Sequence, residues 1–353
     1  MNAPFRLAAP QVREAQAADL DAYARFLSGQ DQATVFHDPR WLDGVARGSG
    51  HASRLLLAEH AGVIVAALPL HAVSSWLFGR ALVSTGFAVG GGVVGDEAAA
   101  PALIGAAQDL ARQLNSPTIE LRGGVLPQGP DWHVKHDSHA GFVMPLAADD
   151  AAQLQAVPRK QRAELRKGLA QPLEIRTGNS AQDRAWHYRV YAQSVRNLGT
   201  PVFPRRLFAS VLDAFGDDAD ILTVLHQGQP VASVLSLYHR GAVMPYWGGG
   251  VFAARALRAN DVMYHALMNH ARRRGMTHFD FGRSKVDSGA YHFKRNWGFV
   301  PQPLSYAQWT ADGQAPRDVN PLSPRYQAKI SLWQKLPLPV ANLIGPLIAR
   351  GLA

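Results

Sequence analysis

Apolar and polar positions along this chain follow an order that is met twice. From residue 53 to 75, SRLLLAEHAGVIVAALPLHAVSS, they alternate on either side of Ala61-Gly62, as the two strands of a β-hairpin do. Residues 219–239, ADILTVLHQGQPVASVLSLYH, repeat the pattern around Gly228. Each hairpin leads into a further apolar or Gly-rich strand segment. A helical period then predicts helices over about 101–115 (PALIGAAQDLARQLN) and about 261–275 (DVMYHALMNHARRRG). The helices stop at Asn115 and Gly275, residue types that accept the left-handed conformation at a helix end. Strands TIELRG (118–123) and HFDFGR (278–283) follow directly. Two copies of one α/β unit are therefore expected.

The copies then diverge. The second continues into FDFGRSKVDSGAYHFKRNWGF (279–299), a strand, a polar turn and a helix opening near Ser288. Tyr291 and Lys294, three apart, share a face of that helix, and Trp297-Gly298 ends it. A strand is expected over 299–309. The first copy has VLPQGPDWHVKHDSH instead, where Pro127, Gly129 and Pro130 disfavour a helix, and His133, His136 and His139 read as a surface loop. The domain division expected is 1–150 for a degenerate first unit acting as acceptor or partner platform, 151–315 for a second unit carrying the chemistry, and 316–353 for a C-terminal extension. Residues 147–171 are helical apart from Pro158, which divides them. Arg159, Arg162 and Arg166 fall on one face there, either a solvated surface or an anion-binding stripe.

Composition narrows the chemistry. The chain has 353 residues, 47% hydrophobic and 18% charged, enough for two full cores. It has no cysteine, which removes disulfides and thiolate metal sites. Its 14 histidines show no H-E-x-x-H spacing, and no metal or tightly bound cofactor is expected. The G-x-S-x-G elbow is missing, so a hydrolase reading is poor, and a dehydrogenase reading is poor as well. The first 30 residues carry acids without an apolar run, so no signal peptide is expected. No apolar stretch reaches the ~18 residues of a membrane span. The expected location is the cytoplasm, with peripheral contact at the inner membrane as an alternative. Net charge is +9 and arginine outnumbers lysine about fourfold, which favours an anionic partner bound by guanidinium forks. No DNA partner is expected.

Lys294, Tyr291 and Arg283 are the candidate catalytic residues: a phenol, an ammonium and a guanidinium beside a strand end can bind an anionic donor and move a proton. Ser284 and Ser288 are candidate substrate contacts beside them. Tyr246 and Trp247, in AVMPYWGGG, are either core aromatics or a stacking platform for a sugar. Asn260 and Asp261 stand where a helix N-cap belongs. Arg255 and Arg258, in RALRAN, could hold a phosphate.

FDFGRS followed by SGAYHFKRNWG resembles the Fem-like aminoacyltransferases, in particular the FemAB-related proteins of exosortase/PEP-CTERM and exopolysaccharide loci. Four further blocks agree: FHDPRW (36–41), PRKQRAELRKG (158–168), NLGTPVFPRR (197–206) and LWQKLPLPVANLIGP (332–346). The resemblance implies a mixed α/β fold of two tandem GNAT-type acyltransferase units. It also implies acyl or aminoacyl transfer to an amine or hydroxyl of a cell-envelope glycan precursor. The alternative is a non-catalytic glycan- or lipid-binding accessory protein of an exopolysaccharide or protein-sorting system. The donor would be aminoacyl-tRNA or acyl-CoA, met by Arg255, Arg258 and Asn260. His37 is either a hydrogen-bonding anchor of the first unit or an acceptor contact, and Trp41 joins the substrate contacts, as do Arg159, Arg162 and Arg166, because Fem-like proteins carry a basic helix at that place. A GNAT loop of the form R/Q-x-x-G-x-G/A binds pyrophosphate through backbone amides. Here RALRAN lacks its glycines, a departure that disfavours acetyl-CoA. In the tail, Tyr326, Ile330 and Trp333 with Lys329, Lys335 and Arg350 are read either as packing on the body or as a membrane-interface contact.

Overall fold

The computed structural model describes residues 9–311 and 324–353. They form two compact units that are not contiguous in the chain: residues 1–136 with 305–318 and 351–353, and residues 137–304 with 319–350. The boundaries expected at 150/151 and 315/316 thus give way to an exchange of segments.

The first unit contains β1 (Gln11–Glu14), α1 (Leu20–Ser28), α2 (Pro39–Ser49), β2 (Ala52–His60), β3 (Val63–Ser75), β4 (Gly79–Ser84), β5 (Val94–Gly95), α3 (Ala100–Gln113) and β6 (Thr118–Arg122). The β2–β3 hairpin turns through Ala61 and Gly62, both at positive φ, the two-residue geometry that matches strand twist. β4 runs parallel to β6 over Leu82–Ser84 only. Leu56, Leu68, Leu82, Ile119 and Leu121 pack against Leu103, Ile104 and Ala107 of α3. On another face Tyr23 and Leu27 of α1 close over Leu55 and Leu57.

The second unit starts inside β7 (Trp132–Pro145) and continues through α4 (Asp150–Ala156), α5 (Arg159–Leu169), β8 (Leu173–Gly178), α6 (Ala181–Asn197), α7 (Arg205–Phe215), β9 (Ala219–His226) and β10 (Gln229–His239). β11 (Ala242–Gly250), α8 (Ala253–Ala256), α9 (Ala259–Arg273), β12 (His278–Lys285) and α10 (Gly289–Asn296) complete the copy, and β13 (Gln302–Thr310) leaves it. α11 (Pro324–Lys335) and α12 (Leu338–Ala349) follow. Its strand order is β7-β12-β11-β10-β9-β8. The β9–β10 hairpin again turns through two positive-φ residues, Gln227 and Gly228. β11 is parallel to β12 at Ala242 and Val243 only, and then runs to Gly250 paired on one side, with β10.

The exchange has a packing cause. The segment after β6, read as a loop, is a strand from Trp132, and its second half lies antiparallel to β12. Phe142 and Ala140 on it are buried among Phe279, Phe281 and Trp297 of the second core. Conversely, Tyr306–Thr310 of β13 pair with β6, and Ala307 and Trp309 join the first core. Burying one such aromatic contributes about 1.5–3 kcal/mol, so each unit depends on a segment that reaches it from outside its own copy.

Candidate active site

Two cavities lie in the second unit, where the edge of β11 beyond its pairing with β12 is open. The larger, about 720 Å³, is lined by Ser194, Arg196 and Asn197 of α6, Gly248–Gly250 of β11, Phe252, Arg255, Asn260, Tyr264, Ala290, Phe293 and Gln334. The smaller, about 330 Å³, shares Arg255, Asn260 and Phe293 and adds Gln161, Glu164, Arg258 and Asp261.

Three consecutive glycines make the larger cavity possible. A Cβ on Gly249 would stand 2.3 Å from Ser194 Oγ, and one on Gly250 would stand 2.5 Å from Asn260 Oδ1. Both are closer than side-chain atoms approach, so the bare backbone of β11 is pressed against α6 and α9. Asn260 Oδ1 is buried without a hydrogen-bond partner, and a buried acceptor of that kind is costly unless a ligand donor reaches it. α9 opens here, and its first-turn N–H groups favour an anion.

Arg258 explains how the loop dispenses with glycine. It holds the left-handed conformation, φ +55, at the start of α9. Its Nε donates to Glu164 Oε2 at 2.6 Å and its Nη1 to the Arg255 carbonyl at 2.5 Å. Those bonds hold an otherwise strained turn, and they draw the Arg258 side chain onto α5. Glu164, bonded also by Lys167, sits below the usual carboxylate range. Arg255 lines both cavities, with its guanidinium 6.0 Å from the Phe252 ring. Of the donor contacts expected from sequence, Arg255 and Asn260 meet at the cavity, and Arg258 acts through Glu164.

Two residues assigned no chemistry from sequence enter here. Tyr264 lines the larger cavity and packs edge-on against Phe281 at 4.6 Å. Burial, with the Asp261 charge, pushes its phenol up to about 12. Asp261, read as a cap, is pushed up to about 6 by burial, with Trp297, Arg258 and Gln161 pulling the other way; Gln161 Nε2 donates to its Oδ1 at 2.6 Å. The signal for Tyr264 was its place one turn after Asn260 on α9.

The residues singled out on β12 and α10 do not line either cavity. Lys294 is buried, and its ammonium donates to the carbonyls of Phe281 (2.6 Å), Gly282 (3.4 Å) and Arg283 (2.9 Å). These carbonyls sit at a break in the β7–β12 ladder between Asp280 and Arg283, where Gly282 has φ +63. Lys294 thus pins a bulge. Burial draws its pKa down to about 8, the Asp280 carboxylate opposing. Tyr291 stacks edge-on against Phe142 at 5.5 Å. Ser288 caps α10 by accepting from the Tyr291 amide at 3.2 Å. Ser284 is buried opposite Ala140 in the ladder, and Arg283 stands opposite Gly141.

The remaining candidates separate by burial. Trp247 is buried against Phe203 and Phe208 and in turn supports Tyr246, which is half-buried. In the first unit, His37 is buried, with one ring nitrogen on Thr34 and the other 3.0 Å from the Gly92 carbonyl. Trp41 is fully buried against Phe36. Both anchor the first unit through these contacts. On α5, Arg159 and Arg166 are exposed, while Arg162 donates to the Gln155 carbonyl at 2.9 Å. In the tail, the Tyr326 and Lys329 side chains lie outside the described residues. Among the described residues no group of three or more His, Asp or Glu is placed to hold a metal ion, and no helix is long and apolar enough to cross a membrane.

The first copy closes the equivalent place. Its Gly-Gly-Gly-Val (90–93) matches Gly-Gly-Gly-Val (248–251) of the second, a correspondence passed over in the sequence. A Cβ on Gly92 would lie 2.0 Å from the Gly123 carbonyl oxygen. The Arg122 guanidinium donates to the Thr85 and Ala88 carbonyls at 3.0 Å each. Backbone fills in the first unit what the second leaves open.

Residues 156–295 match the acetyltransferase (GNAT) domain family. No curated protein matches the chain in sequence. Among solved structures, FemX shares the fold at 13% identity and a TM-score of 0.64, covering 92% of this chain and 100% of that one. A tandem GNAT protein from the clavulanic acid biosynthesis pathway does so at 15% and 0.53, covering 86% and 100%. L-PGS from Bacillus licheniformis does so at 14% and 0.51, covering 94% and 98%. The chain is a mixed α/β protein of two tandem GNAT-type units with a C-terminal extension, and it carries an acyltransferase domain.

Proposed function

We propose that the protein moves an acyl or aminoacyl group from an anionic activated donor to an amine or hydroxyl of a cell-envelope glycan precursor, working at the cytoplasmic face of the membrane. The observation that carries this reading is the open edge of β11 at Gly248–Gly250, meeting the start of α9 inside a 720 Å³ cavity. Arg255 and the α9 terminus would hold the donor's phosphate, and the β11 backbone and Asn260 would position its acyl arm. The acceptor's lone pair then attacks the ester or thioester carbonyl, an oxyanion forms, and the leaving oxygen or sulfur takes a proton as the bond breaks. The Tyr264 phenol is the proton carrier of the cavity wall. Lys294 serves by fixing the bulge within β12. The glycan acceptor rests on the resemblance to exopolysaccharide-associated Fem-like proteins.

The donor is either acyl-CoA or aminoacyl-tRNA, and the two differ in footprint. A charged tRNA would also lie along Arg159 and Arg166, so its binding should weaken steeply with salt as counterions are released. Acyl-CoA would occupy the cavity with a shallower dependence. The loop without glycines favours a donor other than acetyl-CoA. Titration with acetyl-CoA, a longer acyl-CoA and charged tRNA, each at two salt concentrations, tests this. Arg255→Ala should weaken whichever donor binds by about tenfold, the worth of one charge-assisted contact. Saturable binding of none of the three, or an unaffected Arg255→Ala variant, would overturn the assignment of the cavity.

A further inference from the structure

α12 is packed the wrong way round for a helix whose only environment is water and its own protein. A surface helix normally turns its large apolar residues inward and its small or polar ones outward. Here the small residues are inside: Ala341, Gly345 and Ala349, at successive spacings of four, are buried. Gly345 lies so close to Val202 that a Cβ on it would stand 3.1 Å from the Val202 backbone nitrogen. The large residues are outside: Leu343 is 76% exposed, Leu347 65% and Val340 42%. They recur at three and four residues and so share the opposite face. Leu332 on α11 is 66% exposed as well.

The charge along this segment has one sign. From residue 321 to 353 the chain has Arg325, Lys329, Lys335 and Arg350 and neither Asp nor Glu, within a protein of net charge +9. A contiguous apolar face of this kind marks an interaction surface, and a segment whose charged residues are all basic matches a negatively charged partner. α12 has 12 residues, too few to span a bilayer but enough to lie in its interface. α11 connects this face to the cavity: Gln334 lines it, donates to the Asn197 carbonyl at 3.1 Å, and accepts from Arg196 at its own carbonyl at 3.0 Å. Leu198 and Phe252, which also line the cavity, are 66% and 76% exposed.

We infer that the outer face of α11–α12 docks on an anionic lipid bilayer, with Leu332, Val340, Leu343 and Leu347 entering the acyl boundary and Lys335 at the phosphates. This deepens the proposed function, because a cavity beside a docked helix can meet an acceptor carried on a lipid. It also stands apart from that reading, since docking needs neither donor nor acceptor.

The test is flotation of the full-length protein with vesicles of neutral phosphatidylcholine, or of phosphatidylcholine mixed with phosphatidylglycerol, without substrates. The protein should float with the anionic vesicles, less so as salt is raised. The Leu343→Gln/Leu347→Gln variant should bind at least about tenfold more weakly with an unchanged melting temperature. Val300→Gln, at an equally exposed position of the same unit (73%), should bind as wild type. Failure to float, or equal flotation of the Leu343/Leu347 variant, overturns the inference. So does light scattering that shows a dimer lost in that variant without vesicle binding, since the face would then belong to a second copy. Donor titrations of the same variant should match wild type, which separates failure of docking from failure of the cavity.

Discussion

Replacing Lys294 by methionine measures how much of the second unit rests on one buried ammonium. Methionine keeps an apolar stem against Phe142 and Phe281, whose rings stand 5.2 and 5.3 Å from the Lys294 nitrogen, and removes its hydrogen bonds to three carbonyls. Hydrogen bonds to a charged group contribute about 1.5–3 kcal/mol each, so the set contributes roughly 4–9 kcal/mol. Desolvation of the ammonium opposes this. It draws the pKa from 10.5 to about 8, which costs about 3 kcal/mol. The expected net loss is about 2–5 kcal/mol, large for one substitution. Urea unfolding should show a lower midpoint at an unchanged slope. The pH dependence gives a second readout. The folded pKa lies below the unfolded one, so between about pH 8 and 10.5 the unfolded chain binds more protons, and wild-type stability rises with pH across that window. The methionine variant should lack that rise. A variant within about 0.5 kcal/mol of wild type would refute the pinning role. If it stayed folded and lost turnover alone, Lys294 would belong to the chemistry after all.

Three further outcomes follow from the cavity. Gly249→Ala places a Cβ 2.3 Å from Ser194 Oγ and 2.6 Å from Ser194 Cβ; it should cost about 1–3 kcal/mol by overpacking, and Ser194→Gly should restore most of it in a thermal melt of the double variant. Tyr264→Phe should leave the melting temperature within a few degrees and lower kcat by about a hundredfold, as loss of a proton carrier does; turnover equal to wild type would remove the phenol from the mechanism. Asp261 has a folded pKa of about 6 against 3.8 for a free carboxyl, so the folded state binds the extra proton. Its contribution is complete below about pH 4 and is lost as pH rises through 6, about 3 kcal/mol in all. Asp261→Asn should flatten that part of the pH–stability curve, and an unchanged curve would show that burial does not perturb this carboxyl.

The elements were legible because periodicity is local. Both hairpin turns, Ala61-Gly62 and Gln227-Gly228, fall within a residue or so of where the alternation breaks, and Ser288 caps α10. The exchange of β7 and β13 was not legible, because pairing partners depend on registers across distant segments. WHVKHDSH alternates as an exposed strand does, but the prolines before it suggested a loop. The setting of Lys294 was not legible for a related reason. Tyr291 and Lys294 share a helix face in projection, yet only the fold shows that the face meets the carbonyls of a bulge. Sequence spacing identifies which residues are together; it does not say whether backbone or substrate lies opposite.

One glycine segment is closed on the protein in the first copy and faces a cavity in the second. Both copies have Gly-Gly-Gly-Val, beyond the third strand in the first copy and at the end of the third strand in the second. In the first, Gly92 and Gly124 lie against backbone with no room for a Cβ, the Gly92 amide donates to the Arg122 carbonyl at 3.1 Å, and Tyr306 donates to the Val89 carbonyl at 2.9 Å. Those polar groups are satisfied internally, which is what a buried segment requires. In the second, the same glycines face a cavity, Asn260 keeps an acceptor without a partner, and Arg255 faces both cavities. Groups left in that state lower the stability of the empty protein and gain it back when a ligand supplies the missing donors and charge. The difference between the copies therefore lies in whether the hydrogen bonds of one glycine segment close on the protein or stay open toward a cavity, and the proposal that the second unit binds the donor rests on that difference.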